Sequence, residues 1–138
     1  AVPVDRVALI SPWLDVTCST PGTDALIADD PWLHPAGLRV AGEAWAGNLR
    51  PDDPLVSPLA ATDAQLASLP PVGVWTGTRD ILHADAVALD RRLTTCGVEH
   101  AMHVSAGAVH VHPLTPTPEG RAARRGIIAW INGGPDSD

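Results

Sequence analysis

The 138-residue chain has no lysine, no phenylalanine and no tyrosine, and it carries only two cysteines. Nine arginines stand against 16 acidic residues, a formal net charge of −7. An acidic chain without lysine lacks the basic surface that nucleic acid or an anionic membrane would require, and both partners are set aside. Cys18 and Cys96 make neither a disulfide framework nor a Cys-x-x-Cys pair, so free thiols are expected. No apolar run approaches the roughly 18 residues of a membrane span, and no charged-then-apolar leader is visible, so a cytoplasmic protein without a membrane span is expected. The first residue is Ala1 rather than Met, as a trimmed product or a piece of something longer would have it. One absence bears on chemistry: the Gly-x-Ser-x-Gly turn that exposes a nucleophilic serine between a strand and a helix occurs nowhere.

What is present describes one globular domain. Hydrophobic residues make up 45% of the chain, enough for a core. Large aromatic burial falls to Trp13, Trp32, Trp45, Trp75 and Trp130, and the bias toward Ala, Arg, Gly, Pro and Asp is that of GC-rich bacterial coding. Three short β-rich runs, Arg6 to Ile10, Val72 to Thr76 and His100 to Val104, are mostly apolar, as parallel strands covered on both faces are. Ala84 to Cys96 has Ala86, Leu89 and Leu93 at helical spacing, and Gly97 sits where a helix end favours a left-handed residue. A last helix is predicted from Glu119 to Ile131, before a flexible tail at 133–138. Asp15 to Pro71 reads as an excursion between strands, with helical periodicity only at Gly37 to Ala46 and Asp63 to Ser68. It is longer than the dozen or so residues a crossover requires, and long enough to cover a pocket.

Chemistry points to Asp80, in Gly77-Thr78-Arg79-Asp80-Ile81-Leu82, and His110, in Gly107-Ala108-Val109-His110-Val111. Both lie just past predicted strands, and catalytic groups of an open parallel sheet gather at the carboxyl ends of its strands. An aspartate bonded to one ring nitrogen fixes a histidine's tautomer and leaves the other nitrogen free to take a hydroxyl proton. Taken singly, Asp80 reads more readily as a helix cap or an arginine's partner, and His110 as a solvent-facing loop residue; their order, the intervening helix and the glycine-containing flanks favour the pair. Two other readings of the histidines stay open. His110-x-His112 and His100-x-x-His103 have spacings that could serve a metal, since strand alternation would put 110 and 112 on one face. His83 is a rival imidazole, nearly adjacent to the acid and so poorly placed for a triad.

Four blocks resemble the hormone-sensitive-lipase-like esterases of the α/β-hydrolase fold: Leu9-Ile10-Ser11-Pro12-Trp13-Leu14-Asp15, Asp53-Pro54-Leu55-Val56-Ser57-Pro58-Leu59, Leu69-Pro70-Pro71-Val72 running into Gly77-Thr78-Arg79-Asp80-Ile81-Leu82, and Gly107-Ala108-Val109-His110-Val111. They keep the family's order across most of the chain. The resemblance implies an α/β architecture, the C-terminal part of the fold, with three parallel strands, flanking helices and an excursion at 15–71 contributing to the cap and pocket of a partial domain at 1–138. It further implies ester hydrolysis by a Ser-His-Asp triad in which Asp80 is the acid and His110 the base, with a small-molecule ester as substrate and no cofactor or metal. The bulky residues that the family carries around the histidine are replaced by Ala108, Val109 and His112. The serine and the oxyanion hole belong to a half that would precede Ala1. The chain alone is therefore expected to be inert, and its first strand to seek either that half or a second copy of itself. A catalytically inactive remnant or assembly module is the alternative.

Overall fold

Strand β2 (Val72–Arg79) is the centre of the molecule, with β1 (Val7–Ile10) on one side and β3 (His100–Val109) on the other, all three parallel. The structure, a computed structural model, describes residues 3–133, so the tail expected at 133–138 falls, apart from Gly133, outside the described residues. Side-chain alternation divides the strands between two cores. Val72 and Val74 point to one face, where Leu14, Leu66, Ala86, Leu89, Leu93 and Val98 are buried with them. Trp75 points to the other and packs with Ile127 and Trp130, with Ala8, Ile10 and Ala101 alongside. The first face is covered by α4 (His83–Cys96) and the second by α5 (Pro118–Ile131). Both faces of β2 are dry, which explains why its sequence shows no polar alternation.

The helices begin and end for local reasons. The Thr117 hydroxyl accepts the Gly120 N–H at 3.0 Å, with Pro118 pre-set for the first turn of α5. Helix α4 stops at Gly97, whose φ of 69° is a left-handed geometry that a side chain would resist. The excursion after β1 holds α1 (Thr23–Leu26), α2 (Pro35–Ala46) and α3 (Asp63–Leu66), the last closed by a reciprocal Thr62–Gln65 capping box. Among the described residues no helix is long and apolar enough to cross a membrane.

Two expectations need correction. Strands β2 and β3 run on to Arg79 and Val109, past the predicted ends at Thr76 and Val104, because the two continue to pair through Gly77 and Ser105 and on to Arg79 and Val109. Of the five tryptophans, Trp75 and Trp130 are buried, but Trp32 and Trp45 are 58% and 73% exposed. Both lie in the excursion.

Candidate active site

Because β2 ends at Arg79 and β3 at Val109, the next residues, Asp80 and His110, leave neighbouring strands at the same edge of the sheet. Their side chains meet: His110 Nδ1 lies 3.0 Å from Asp80 Oδ2. Asp80 is fully buried, and its Oδ1 accepts the Leu82 N–H at 2.9 Å while its carbonyl accepts the His83 N–H. The carboxylate thus accepts from the Leu82 amide just ahead of α4 and lies against the imidazole at once, but Asp80 is not the N-cap of α4, which is Leu82 and has no side-chain cap bond. With the carboxylate as acceptor, Nδ1 is the ring nitrogen that donates, and Nε2 is left as the acceptor of a neutral ring.

Gly77 explains part of the motif around Asp80. A Cβ there would fall 2.2 Å from the carbonyl oxygen of Ala108, so only glycine allows β3 to close in on β2 just before both functional residues. The pairing slips between Gly77 and Arg79, and Arg79 comes to lie opposite Val109. On the histidine side, the Ser11 hydroxyl accepts the Val111 N–H at 2.9 Å. Val111 has a φ of 46°, a costly conformation for a β-branched residue, and Ser11 is itself at 45°. One hydrogen bond therefore joins two strained positions, at the ends of β1 and of the histidine loop.

On the acid side, Asp85 in the first turn of α4 accepts the Leu14 and Asp15 N–H groups at 2.7 and 3.0 Å, tying the loop after β1 to this helix. Burial pushes its carboxyl above the ordinary range, against the hydrogen bonds from Thr20, Leu14 and Asp15. Sequence reasoning missed the placing roles of Ser11 and Asp85. Ser11 lies in the Ser-Pro-Trp block, and Asp85 follows Asp80 by five residues, which gave the only signals.

The remaining histidines take other positions. His83 heads α4 with Nδ1 3.2 Å from the Thr76 hydroxyl, and burial holds its pKa below the ordinary value against the attraction of Asp80. His112 lies in a short 3₁₀ turn, His112–Leu114, buried, with neither ring nitrogen hydrogen-bonded. The positive φ at Val111 takes the chain out of the strand, so 110 and 112 do not share a strand face. His103 stacks on Trp75 with ring centroids 4.5 Å apart. Among the described residues no three His, Cys, Asp or Glu side chains gather as a metal site would require. Beside the acid loop, a cavity of about 480 Å³ is lined by Pro21 and Leu26 of the excursion and by His83, Val87 and Arg91 of α4.

Comparison with known proteins gives this geometry a family. Residues 1–114 match the family described by the alpha/beta hydrolase fold. The chain is 32% identical over 105 residues to a triacylglycerol lipase of Mycobacterium tuberculosis, covering 76% of this chain and 23% of the lipase. It is 32% identical over 118 residues to an acetyl-hydrolase of Streptomyces hygroscopicus, covering 83% of this chain and 38% of that protein. The crystal structure of an esterase from the bacterial hormone-sensitive lipase family superposes with a TM-score of 0.85 at 28% identity, over 94% of this chain and 43% of the esterase. The chain spans less than half the length of each of these proteins. With parallel strands flanked by helices and a match that runs through both strand-end loops, the chain belongs to the α/β-hydrolase family of esterases and lipases, of whose fold it forms a part.

Proposed function

We propose that this chain is the acid and histidine portion of a serine carboxylesterase, with Asp80 orienting His110 and His110 serving as general base and then general acid. The observation that carries the reading is the 3.0 Å contact between His110 Nδ1 and a fully buried Asp80 carboxylate at adjacent strand ends. Held in this tautomer, His110 offers Nε2 to a serine hydroxyl. The serine oxygen bonds to the ester carbonyl carbon as its proton passes to Nε2, and that proton then leaves with the alcohol as the carbon–oxygen bond breaks. Water repeats the sequence on the acyl-enzyme and restores the serine. The excursion at 15–71 contributes to the pocket and its cover, a role supported by Pro21 and Leu26 lining the cavity beside His83. The serine and the oxyanion donors come from polypeptide outside this chain, in keeping with its 43% coverage of the esterase it superposes on.

The test begins with the coding sequence in frame upstream. A serine turn encoded there defines the longer protein to express; its absence favours the inactive remnant or assembly module. In the longer protein, Asp80→Asn and His110→Ala should each lower kcat on short p-nitrophenyl esters by about 10³ to 10⁴-fold, with the far-ultraviolet circular dichroism retained. Full turnover in either variant would sink the assignment. The 138-residue chain alone should be inert, and turnover that a serine phosphonate abolishes would place the nucleophile within it.

A further inference from the structure

The loop carrying Asp80 is only three residues long, between the end of β2 at Arg79 and the start of α4 at His83, and the excursion grips it on both sides. Asp30 Oδ2 accepts the Ile81 N–H at 2.8 Å. The other oxygen of the same carboxylate accepts the Trp32 and Leu33 N–H groups at 2.8 and 2.9 Å. One residue earlier, the Asp29 carbonyl accepts from Arg79 Nε at 3.2 Å. The residues immediately before and after Asp80 are therefore both held by Asp29 and Asp30, some fifty positions upstream. We propose that Asp30 is a positioning residue for the Asp80–His110 pair, coupling the excursion to the acid through the Ile81 amide.

The inference rests on the functional reading of Asp80 and His110 given above. Ile81 is fully buried and meets the half-buried Asp30 at its amide, so loss of this acceptor leaves a buried N–H to be satisfied only by solvent entering beside position 30. The bond is charge-assisted, and Asp30 is already fixed by two amides of its own turn, which makes it a stiff support. Rotation about the backbone at Ile81 would swing Asp80, and a displacement of about 1 Å would take the carboxylate out of hydrogen-bond range of the ring. Asp85, by contrast, supports the loop after β1 and makes no bond to the acid loop's amides.

Nuclear magnetic resonance of the 138-residue chain tests this without any need for turnover. In the wild-type chain, His110 should be the Nδ1–H tautomer with a slowly exchanging ring proton, and Asp80→Asn should abolish that slow exchange. Asp30→Ala should speed exchange of the same proton about tenfold while the central amides of β2 keep their protection. Asp30→Asn keeps a carbonyl acceptor and should fall between the two, and it carries the comparison if the alanine variant does not fold. Loss of protection at the Ile81 amide with an unchanged His110 ring proton would overturn the proposal, reducing Asp30 to a local loop contact. An Asp80→Asn variant with unaltered His110 exchange would instead refute the acid–histidine pair itself, and the positioning role would fall with it.

Discussion

A buried imidazole with both nitrogens unpaired is costly, and His112 is such a ring, 3% exposed and two residues beyond His110. Burial holds its pKa below the ordinary 6.5, with Asp80 pulling weakly the other way, and His83 is depressed in the same sense. The unfolded chain then binds more protons than the folded one between the two folded values and 6.5. The stability contributed by the two neutral rings is complete above that window and is lost as pH falls through it. Asp85 works in the opposite sense, since a carboxyl raised above 3.8 gains a proton more readily in the folded state. His112→Leu should therefore reduce the loss of stability between pH 7.5 and 5.5, and should raise stability at pH 7.5 by about 1 kcal/mol, because an apolar side chain leaves no unpaired nitrogen. Urea midpoints at both pH values measure this; a variant weaker at both, with an unchanged pH slope, would mean that the ring is well paired. The position of this residue was not legible in the sequence. Strand alternation predicts that 110 and 112 share a face, and only the left-handed turn at Val111, which no residue type announces, sends His112 inward.

Gly77 sets how closely two strands approach. The apolar run ends at Thr76, and with it the part of β2 that the sequence shows, whereas the strand continues through Gly77 to Arg79. The glycine admits the Ala108 backbone, and the strands stay paired up to the residues that precede Asp80 and His110. Gly77→Ala must push β3 aside, since the 2.2 Å approach is to backbone and no flexible side chain can yield. The expected cost is about 2 to 4 kcal/mol, read from the shift of the urea midpoint, with slow exchange of the His110 ring proton lost as the strand ends part. A variant as stable as wild type would show that the strand ends have slack. Helices were more legible than strand ends, because α4 and α5 carry apolar spacing and α4 a terminal signal at Gly97. The excursion was legible mainly as length. Its helices α2 and α3 fall on the two periodic stretches, but α1 is only four residues, too short for periodicity to register, and the links to the acid loop run through backbone amides that leave no mark on side-chain patterns.

At the scale of the molecule, β1 is the open question, because it pairs with β2 alone among the described residues. The Val7 N–H bonds to the Pro71 carbonyl at 2.9 Å and the Ser11 N–H to the Trp75 carbonyl at 2.8 Å. Alternation along the strand then turns the Ala8 and Ile10 amides away from β2, along a short apolar edge that carries no charge. In a larger sheet, a neighbouring strand covers such an edge. On its own, the 138-residue chain should pair through it with a second copy and scatter light as more than 14.4 kDa at micromolar concentration. Ala8→Pro removes one outward N–H and leaves the bonds to Pro71 and Trp75 in place, so it should return the mass to that of a monomer. Val104→Lys on β3, whose side chain is half exposed, is the control for the opposite edge of the sheet. Association that survives Ala8→Pro and yields to Val104→Lys would assign the contact to β3. A wild-type chain that stays a compact monomer would show that β1 has no need of a partner, and the expectation of a completing half would then rest on the absent serine and on the part-length match to its relatives.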